Sequence, residues 1–229
     1  MNLPALSRRD FLKTAALASA SVAFPRVLRA QAGQPPSSRL NVALIGNGLI
    51  AGSHFGALIA RDDVRLVAVC DVSLPKARAM AARIEQHYSA AAPSGSYRGV
   101  GIFQHHEAVL ARNDVDVVFV CTPDHWHAGI ANDAMIAGKD VYCEKPLTLT
   151  VREGRALVNT ARRHGRILQT GTQQRSERAF RRAAEIVRNG LIGEIRVIRT
   201  RLGEFPPAPS LGEQPVPAEF DYGRWLGPT

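Results

Sequence analysis

The chain has 229 residues, 29 Lys+Arg against 20 Asp+Glu, and a formal net charge of +9, enough for one or two domains with a sizeable core. With 45% hydrophobic and 21% charged residues it reads as globular, neither disordered nor fibrous. No apolar run approaches the ~20 residues that span a bilayer, which excludes a multi-pass membrane protein.

The positive charge is unevenly placed. Residues 1–32 hold Arg8, Arg9, Lys13, Arg26 and Arg29 against Asp10 alone, so +4 of the +9 sits there and +5 remains for 33–229, too mild an excess for a nucleic-acid surface. This opening stretch has the three parts of a secretory signal. A basic region, Ser7–Lys13, precedes an uncharged run from Thr14 to Pro25, and Ala30-Gln31-Ala32 offers a cleavage site with a mature start at Gly33. Arg8-Arg9 followed by Phe-Leu-Lys resembles the twin-arginine (Tat) export signal. That resemblance implies export of an already folded protein to the periplasm or another extracytoplasmic space, with the Tat machinery as a partner and without stable membrane insertion. Cys70, Cys121 and Cys143 are odd in number and each lies in or beside an apolar run, so buried free thiols are expected rather than a disulfide framework. No Cys/His spacing suits a zinc ion, so no metal is expected.

After a Gly/Pro/Ser linker at 33–38, strand and helix patterns alternate. Leu40–Ile45 is a nearly continuous apolar run, as in a strand buried on both faces of a parallel sheet. Further strands are predicted over Val64–Cys70, Val115–Val120, Asp140–Cys143 and Arg166–Leu168. Helices are predicted over Leu49–Ala60, Pro75–Tyr88, Glu107–Arg112, His127–Ala137, Val151–His164 and Glu177–Asn189. Gly138 and Gly165 stand at expected helix ends. This rhythm predicts an α/β fold with a Rossmann-type, doubly wound parallel sheet over residues 39–170.

Between the first strand and helix stands Gly46-Asn47-Gly48-Leu49-Ile50-Ala51, a G-x-G-x-x-A pattern. Gly46 suits a tight turn, Gly48 admits a pyrophosphate against the backbone, and Ala51 lets the helix pack closely on the strand. The helix N-terminus at Leu49 and Ile50 offers unpaired N–H groups to phosphate. Asp71 ends the second strand 23 residues after Gly48, near the ~20 expected of the acid that binds the adenine ribose. A carboxylate there repels a 2′-phosphate and favours NAD, while Lys76 and Arg78 nearby keep NADP open.

Two later loops follow strand ends on the same sheet edge, where doubly wound folds bind ligands. One is Thr122-Pro123-Asp124-His125-Trp126-His127 and the other is Glu144-Lys145-Pro146-Leu147. Thr-Pro-x-x-x-His, then Gly-Lys-x-Val, then Glu-Lys-Pro, behind the glycine fingerprint, resembles the glucose–fructose oxidoreductase / inositol dehydrogenase (Gfo/Idh/MocA) family over roughly residues 39–200. Gly171–Ser176 and the closing Asp221–Pro228 also resemble exported members.

The resemblance implies a nicotinamide-dependent oxidoreductase acting on a sugar, polyol or related carbinol. Thr122 and Pro123 would line the cofactor's ribose–nicotinamide half, and His127 would order that wall. Lys145 would point at nicotinamide and substrate as the catalytic amine, with Glu144 supporting both it and the cofactor. A cation beside a developing alkoxide suits hydride removal. Arg175 matches an arginine near the family's active-site mouth. His125 and Trp126 have two readings, packing on a sugar face or lying on a surface loop. His105 and His106 read as solvated, His54 and His164 as satisfied structural histidines, and Arg178, Arg181 and Arg182 as a solvated helix face.

Residues 171–229 are expected to begin an α+β substrate and oligomerisation domain, with a strand over Glu194–Leu202 and a Pro-rich stretch over Glu204–Phe220. Family members carry a longer such domain, homo-oligomeric in the full form, whose Asp-x-x-x-His-type pair supplies the general base. His164 is the last histidine of this chain, so a truncated form, inactive alone, is expected. Free NAD is scarce outside the cytoplasm, so a tightly held cofactor is expected. That logic also admits a redox-neutral NAD-dependent glycoside hydrolase, and a non-catalytic nucleotide- or sugar-binding protein stands as a third reading.

Overall fold

The computed structural model describes residues 39–92, 94–201, 203 and 212–227. The expected export signal and linker, residues 1–38, and the first part of the Pro-rich stretch, residues 204–211, lie outside them.

Six strands form one parallel sheet: β1 (Leu40–Ile45), β2 (Val64–Cys70), β3 (Gly101–Phe103), β4 (Val117–Val120), β5 (Asp140–Glu144) and β6 (Leu168–Gly171). Their order is β3-β2-β1-β4-β5-β6, the doubly wound arrangement in which chain direction across the sheet reverses at β1. The connecting helices are α1 (Leu49–Ile59), α2 (Leu74–Ala91), α3 (His106–Leu110), α4 (Asp124–Ile136) and α5 (Val151–His164). Beyond β6 come a 3-10 turn at Gln173–Ser176, α6 (Arg178–Arg188) and α7 (Tyr222–Leu226).

The side-chain alternation of a strand divides the core into two layers. Val42 and Leu44 of β1 pack with Leu58, Ala77, Met80 and Ile84 of α1 and α2. Ala43 and Ile45 point the other way, into a layer with Ile130, Ala131, Ala134 and Met135 of α4 and Leu157 of α5. Both faces of β1 are therefore covered, and Val42 through Ile45 are all buried. Each fully buried Leu, Ile or Val contributes roughly 1.5–3 kcal/mol of transfer free energy.

Three local differences from the sequence reading have physical causes. β3 forms where no strand was expected, because pairing with Ala68, Val69 and Cys70 of β2 stabilises a three-residue segment too short to show a pattern. α4 begins at Asp124 rather than His127, with Pro123 as its N-cap in an extended conformation, since proline's fixed φ suits a helix entry. The strand expected over Glu194–Leu202 does not form across residues 194–201. No described residue pairs with it, Val197 and Ile198 are exposed, and a strand without a partner has no ladder to stabilise it.

Candidate functional site

The carboxyl ends of β1, β2 and β4 converge on a cleft of about 240 Å³. Its floor is the β1–α1 turn. Gly46 has φ +86°, and a Cβ there would come within 2.6 Å of the Cys121 carbonyl and 2.7 Å of the Thr122 nitrogen, so only glycine fits this crossing of two strand ends. Its N–H donates to the Cys70 carbonyl at 2.8 Å. Asn47 is clamped beside it, its backbone N–H donating to Asp71 Oδ2 at 2.7 Å and its Nδ2 to the Cys70 carbonyl at 2.8 Å. Gly48 caps α1 with no side-chain hydrogen bond, and a Cβ on it would meet nothing within 4 Å. The first turn of α1 thus presents free N–H groups, and Gly48, Leu49 and Ile50 line the cleft. Ala51 is fully buried beneath them, the close contact expected of a small residue.

This geometry fits a dinucleotide. A glycine cradle, an uncapped helix start and buried polar atoms without partners among the described residues, Asn47 Oδ1 and Thr122 Oγ1, together form a site for a group bearing phosphates and hydroxyls. Asp71 stands at the rim with Oδ1 accepting from the Ser73 N–H at 2.8 Å. Each carboxylate oxygen keeps a lone pair for a ribose hydroxyl. Lys76 lines the same cleft.

At the β5 end, Glu144 is turned inward and buried. His54 of α1 meets its Oε1 at 2.6 Å, Gln173 donates to the same oxygen, and Oε2 accepts from the Lys145 N–H at 3.2 Å. Gly171 makes this possible, since a Cβ there would lie 2.9 Å from Glu144 Oε1. His54 is thus a satisfied histidine, but one satisfied by a site carboxylate across the sheet edge. Its ring is also held edge-on by Phe119 and Tyr142, at 5.5 and 5.1 Å between centroids. Lys145 itself is exposed. His127 is buried, its ring nitrogens 2.6 Å from the Pro146 carbonyl and 2.8 Å from the Thr122 carbonyl. It ties the loop after β4 to the loop after β5 and so acts as a positioning residue. Thr122 and Pro123 line the cleft.

Other residues take places that the sequence alone does not give. His125 and Trp126 are not free loop residues. His125 Nε2 lies 2.9 Å from the Trp225 carbonyl, and Trp126 Nε1 donates to the Arg224 carbonyl at 2.8 Å. Trp126 lines the nucleotide cleft. His106 is buried rather than solvated, packed against the Trp126 ring at 5.9 Å, because α3 lies against α4. Arg175 borders a separate hollow with Phe180, Arg181 and Arg188 and does not line the cleft. Sequence reasoning missed Gln104, His105, Phe220, Arg224 and Trp225 as cleft residues. The aromatic Asp221–Pro228 stretch was the available signal, but nothing in one sequence tells where it docks.

Burial pushes all three thiols up to about 12. Cys70 is raised further by Asp71, Cys121 by Glu144, and Cys143 by Glu144. Among the described residues no helix is long and apolar enough to cross a membrane, and no group of three or more His, Cys, Asp or Glu is placed to hold a metal ion.

The family model described as "Oxidoreductase family, NAD-binding Rossmann fold" (GFO_IDH_MocA) matches residues 40–172. The chain is 34% identical over 166 residues to D-glucoside 3-dehydrogenase of Escherichia coli, covering 72% of this chain and 44% of that one. It is 30% identical over 207 residues to a glycosyl hydrolase family 109 protein of Shewanella sp. ANA-3, covering 83% and 44% respectively. Among solved structures, the 3-ketoreductase KijD10 of Actinomadura kijaniata, in complex with TDP-benzene and NADP, aligns with TM-score 0.60 at 29% identity, over 69% of this chain and 46% of that one. The chain therefore spans less than half the length of these relatives.

Proposed function

The chain belongs to the Gfo/Idh/MocA oxidoreductase family with its NAD-binding Rossmann fold, and from that premise we propose that it is the cofactor-holding part of an exported oxidoreductase acting on a sugar, polyol or related carbinol. The observation that carries the proposal is the Gly46 cradle at the β1/β4 crossing, with Asp71 on its rim. A nicotinamide, when bound, supplies the hydride chemistry. The chain's own residues supply position and field. The α1 N-terminus holds the pyrophosphate, Asp71 binds the adenine ribose, and Thr122 and Pro123 back the nicotinamide half. Lys145 is the one ionisable group of the Glu-Lys-Pro loop left free to reach substrate, because Glu144 is consumed by His54 and Gln173. Its ammonium stabilises negative charge growing on a carbinol oxygen. The Asp71 carboxylate favours NAD over NADP, and scarcity of free cofactor outside the cytoplasm favours tight retention.

The test pairs titration with turnover. Titrating this chain with NAD and NADP should show the tighter site for NAD, and Lys145→Ala should leave that affinity within about twofold. In the complete gene product the same substitution should cut sugar-dependent cofactor reduction by roughly 10²-fold or more, the scale of losing one charge-stabilising donor. Unimpaired turnover would remove Lys145 from the chemistry. For the export reading, replacing Arg8 and Arg9 by Lys should strand the protein in the cytoplasm, and unchanged fractionation would sink it.

Similarity to the family 109 glycosyl hydrolase supports a second reading, transient oxidation of a glycoside followed by elimination and re-reduction. Release of phenol from aryl glycosides without added cofactor would favour it over the dehydrogenase.

A further inference from the structure

The cleft's outer wall comes from a segment far along the chain. Phe220 forms an antiparallel bridge with Ser73, flanked by Leu74 N–H to the Glu219 carbonyl at 3.0 Å and Asp221 N–H to the Val72 carbonyl at 2.9 Å. Arg78 and Glu219 pair at 2.8 Å on the outside. Asp221 caps α7 by accepting from the Arg224 N–H at 2.9 Å, and α7 is in turn held by the bonds from His125 and Trp126. The Arg224 guanidinium pairs with Glu107 and lies over the Trp126 ring at 5.9 Å. One segment thus joins the ends of β2, α3 and α4 across the mouth of the cleft.

The inner face of this wall has a particular chemistry. With pyrophosphate at Gly48 and ribose at Asp71, the cleft beyond Asp71 is the place left for the base. The cleft lining not used by those groups includes Trp126, Phe220, Trp225, Gln104 and His105. Three aromatic side chains line a space bordered by an amide and an imidazole, and His105 Nδ1 is a buried polar atom with no partner among the described residues. Trp225, with a large apolar ring, is still 42% exposed, although its backbone is fixed at both ends of α7. A flat, aromatic, hydrogen-bonding ring satisfies both features.

Resting on the nucleotide-binding reading above, we propose that Phe220–Trp225 is a clasp that completes the adenine subsite, with Trp126, Phe220 and Trp225 enclosing the purine and Gln104 and His105 facing its edge. Affinity for the adenosine half of the cofactor then depends on this segment, while affinity for the nicotinamide half does not.

The chain contains two tryptophans, and both line this cleft, so their emission reports its occupancy directly. Binding of NAD, 5′-AMP and nicotinamide mononucleotide is measured by fluorescence or calorimetry in the wild type, Phe220→Ala, Trp225→Ala and Trp225→Phe. Expected are a loss of roughly tenfold or more for NAD and 5′-AMP in the alanine variants, unchanged mononucleotide affinity, and recovery in Trp225→Phe. In Trp126→Phe, where Trp225 is the sole tryptophan, 5′-AMP should still change the tryptophan emission. Equal weakening of all three ligands would mean a general structural effect and would overturn the clasp. So would unchanged 5′-AMP affinity, which leaves the cofactor reading intact if wild type binds NAD. A wild type that binds neither NAD nor 5′-AMP removes both.

Discussion

Cys70, Cys121 and Cys143 lie in or just after β2, β4 and β5, all at the end of the sheet where the cleft opens. Each thiol is pushed from 9.0 up to about 12 by burial, reinforced by neighbouring carboxylates. The native state therefore keeps these protons after the unfolded chain begins to release them. Stability from the three thiols is fully present below about pH 9 and is lost as pH rises towards 12, on the order of 1 kcal/mol per thiol per pH unit. Unfolding free energies from urea titrations at about pH 9.5 to 11 should fall steeply, and Cys143→Ala should make that slope shallower by on the order of 1 kcal/mol per pH unit. Parallel slopes for the two proteins would contradict the assignment. The same protonation leaves the thiols poor nucleophiles at neutral pH, so native protein should resist alkylation.

At the scale of elements, α5 shows how local signals set a boundary. Thr150 Oγ1 accepts from the Glu153 N–H at 3.2 Å, Glu153 Oε2 accepts from the Thr150 N–H at 2.9 Å, and the helix ends at Gly165 in a left-handed conformation. Leu157 is its buried anchor. Thr150→Ala should cost about 1 kcal/mol, read as a lower urea midpoint with unchanged slope. Such ends were legible because the cap residues sit within four positions of one another. The Gly46 turn and Asp71 were legible for a similar reason, a fixed spacing that a single βαβ unit imposes. Contacts made at long separation were not. His54 reads as an ordinary helix histidine until β5, 90 residues later, brings Glu144 to it. β3 exists only because β2 lends it a partner, and 194–201, with strong strand composition, remains unpaired for want of one.

Across the whole molecule, strand order decides what can meet. The order β3-β2-β1-β4-β5-β6 places Gly46 between Asp71 on one side and Thr122 on the other, with Glu144 one strand further out. On the proposed function, one sheet edge would hold the adenosine, phosphate and nicotinamide sections in sequence. The last wall of that site, Phe220–Trp225, has a consequence in time as well as in space. On the ribosome, residues 46–126 emerge well before residue 220, and at about 5–20 residues per second the gap is on the order of 5–20 s. On the proposed reading, the cradle residues emerging in that interval still lack the wall that Phe220–Trp225 provides. Firm cofactor loading then becomes a late event in the life of the chain, following synthesis of the clasp rather than guiding the first folding of the sheet.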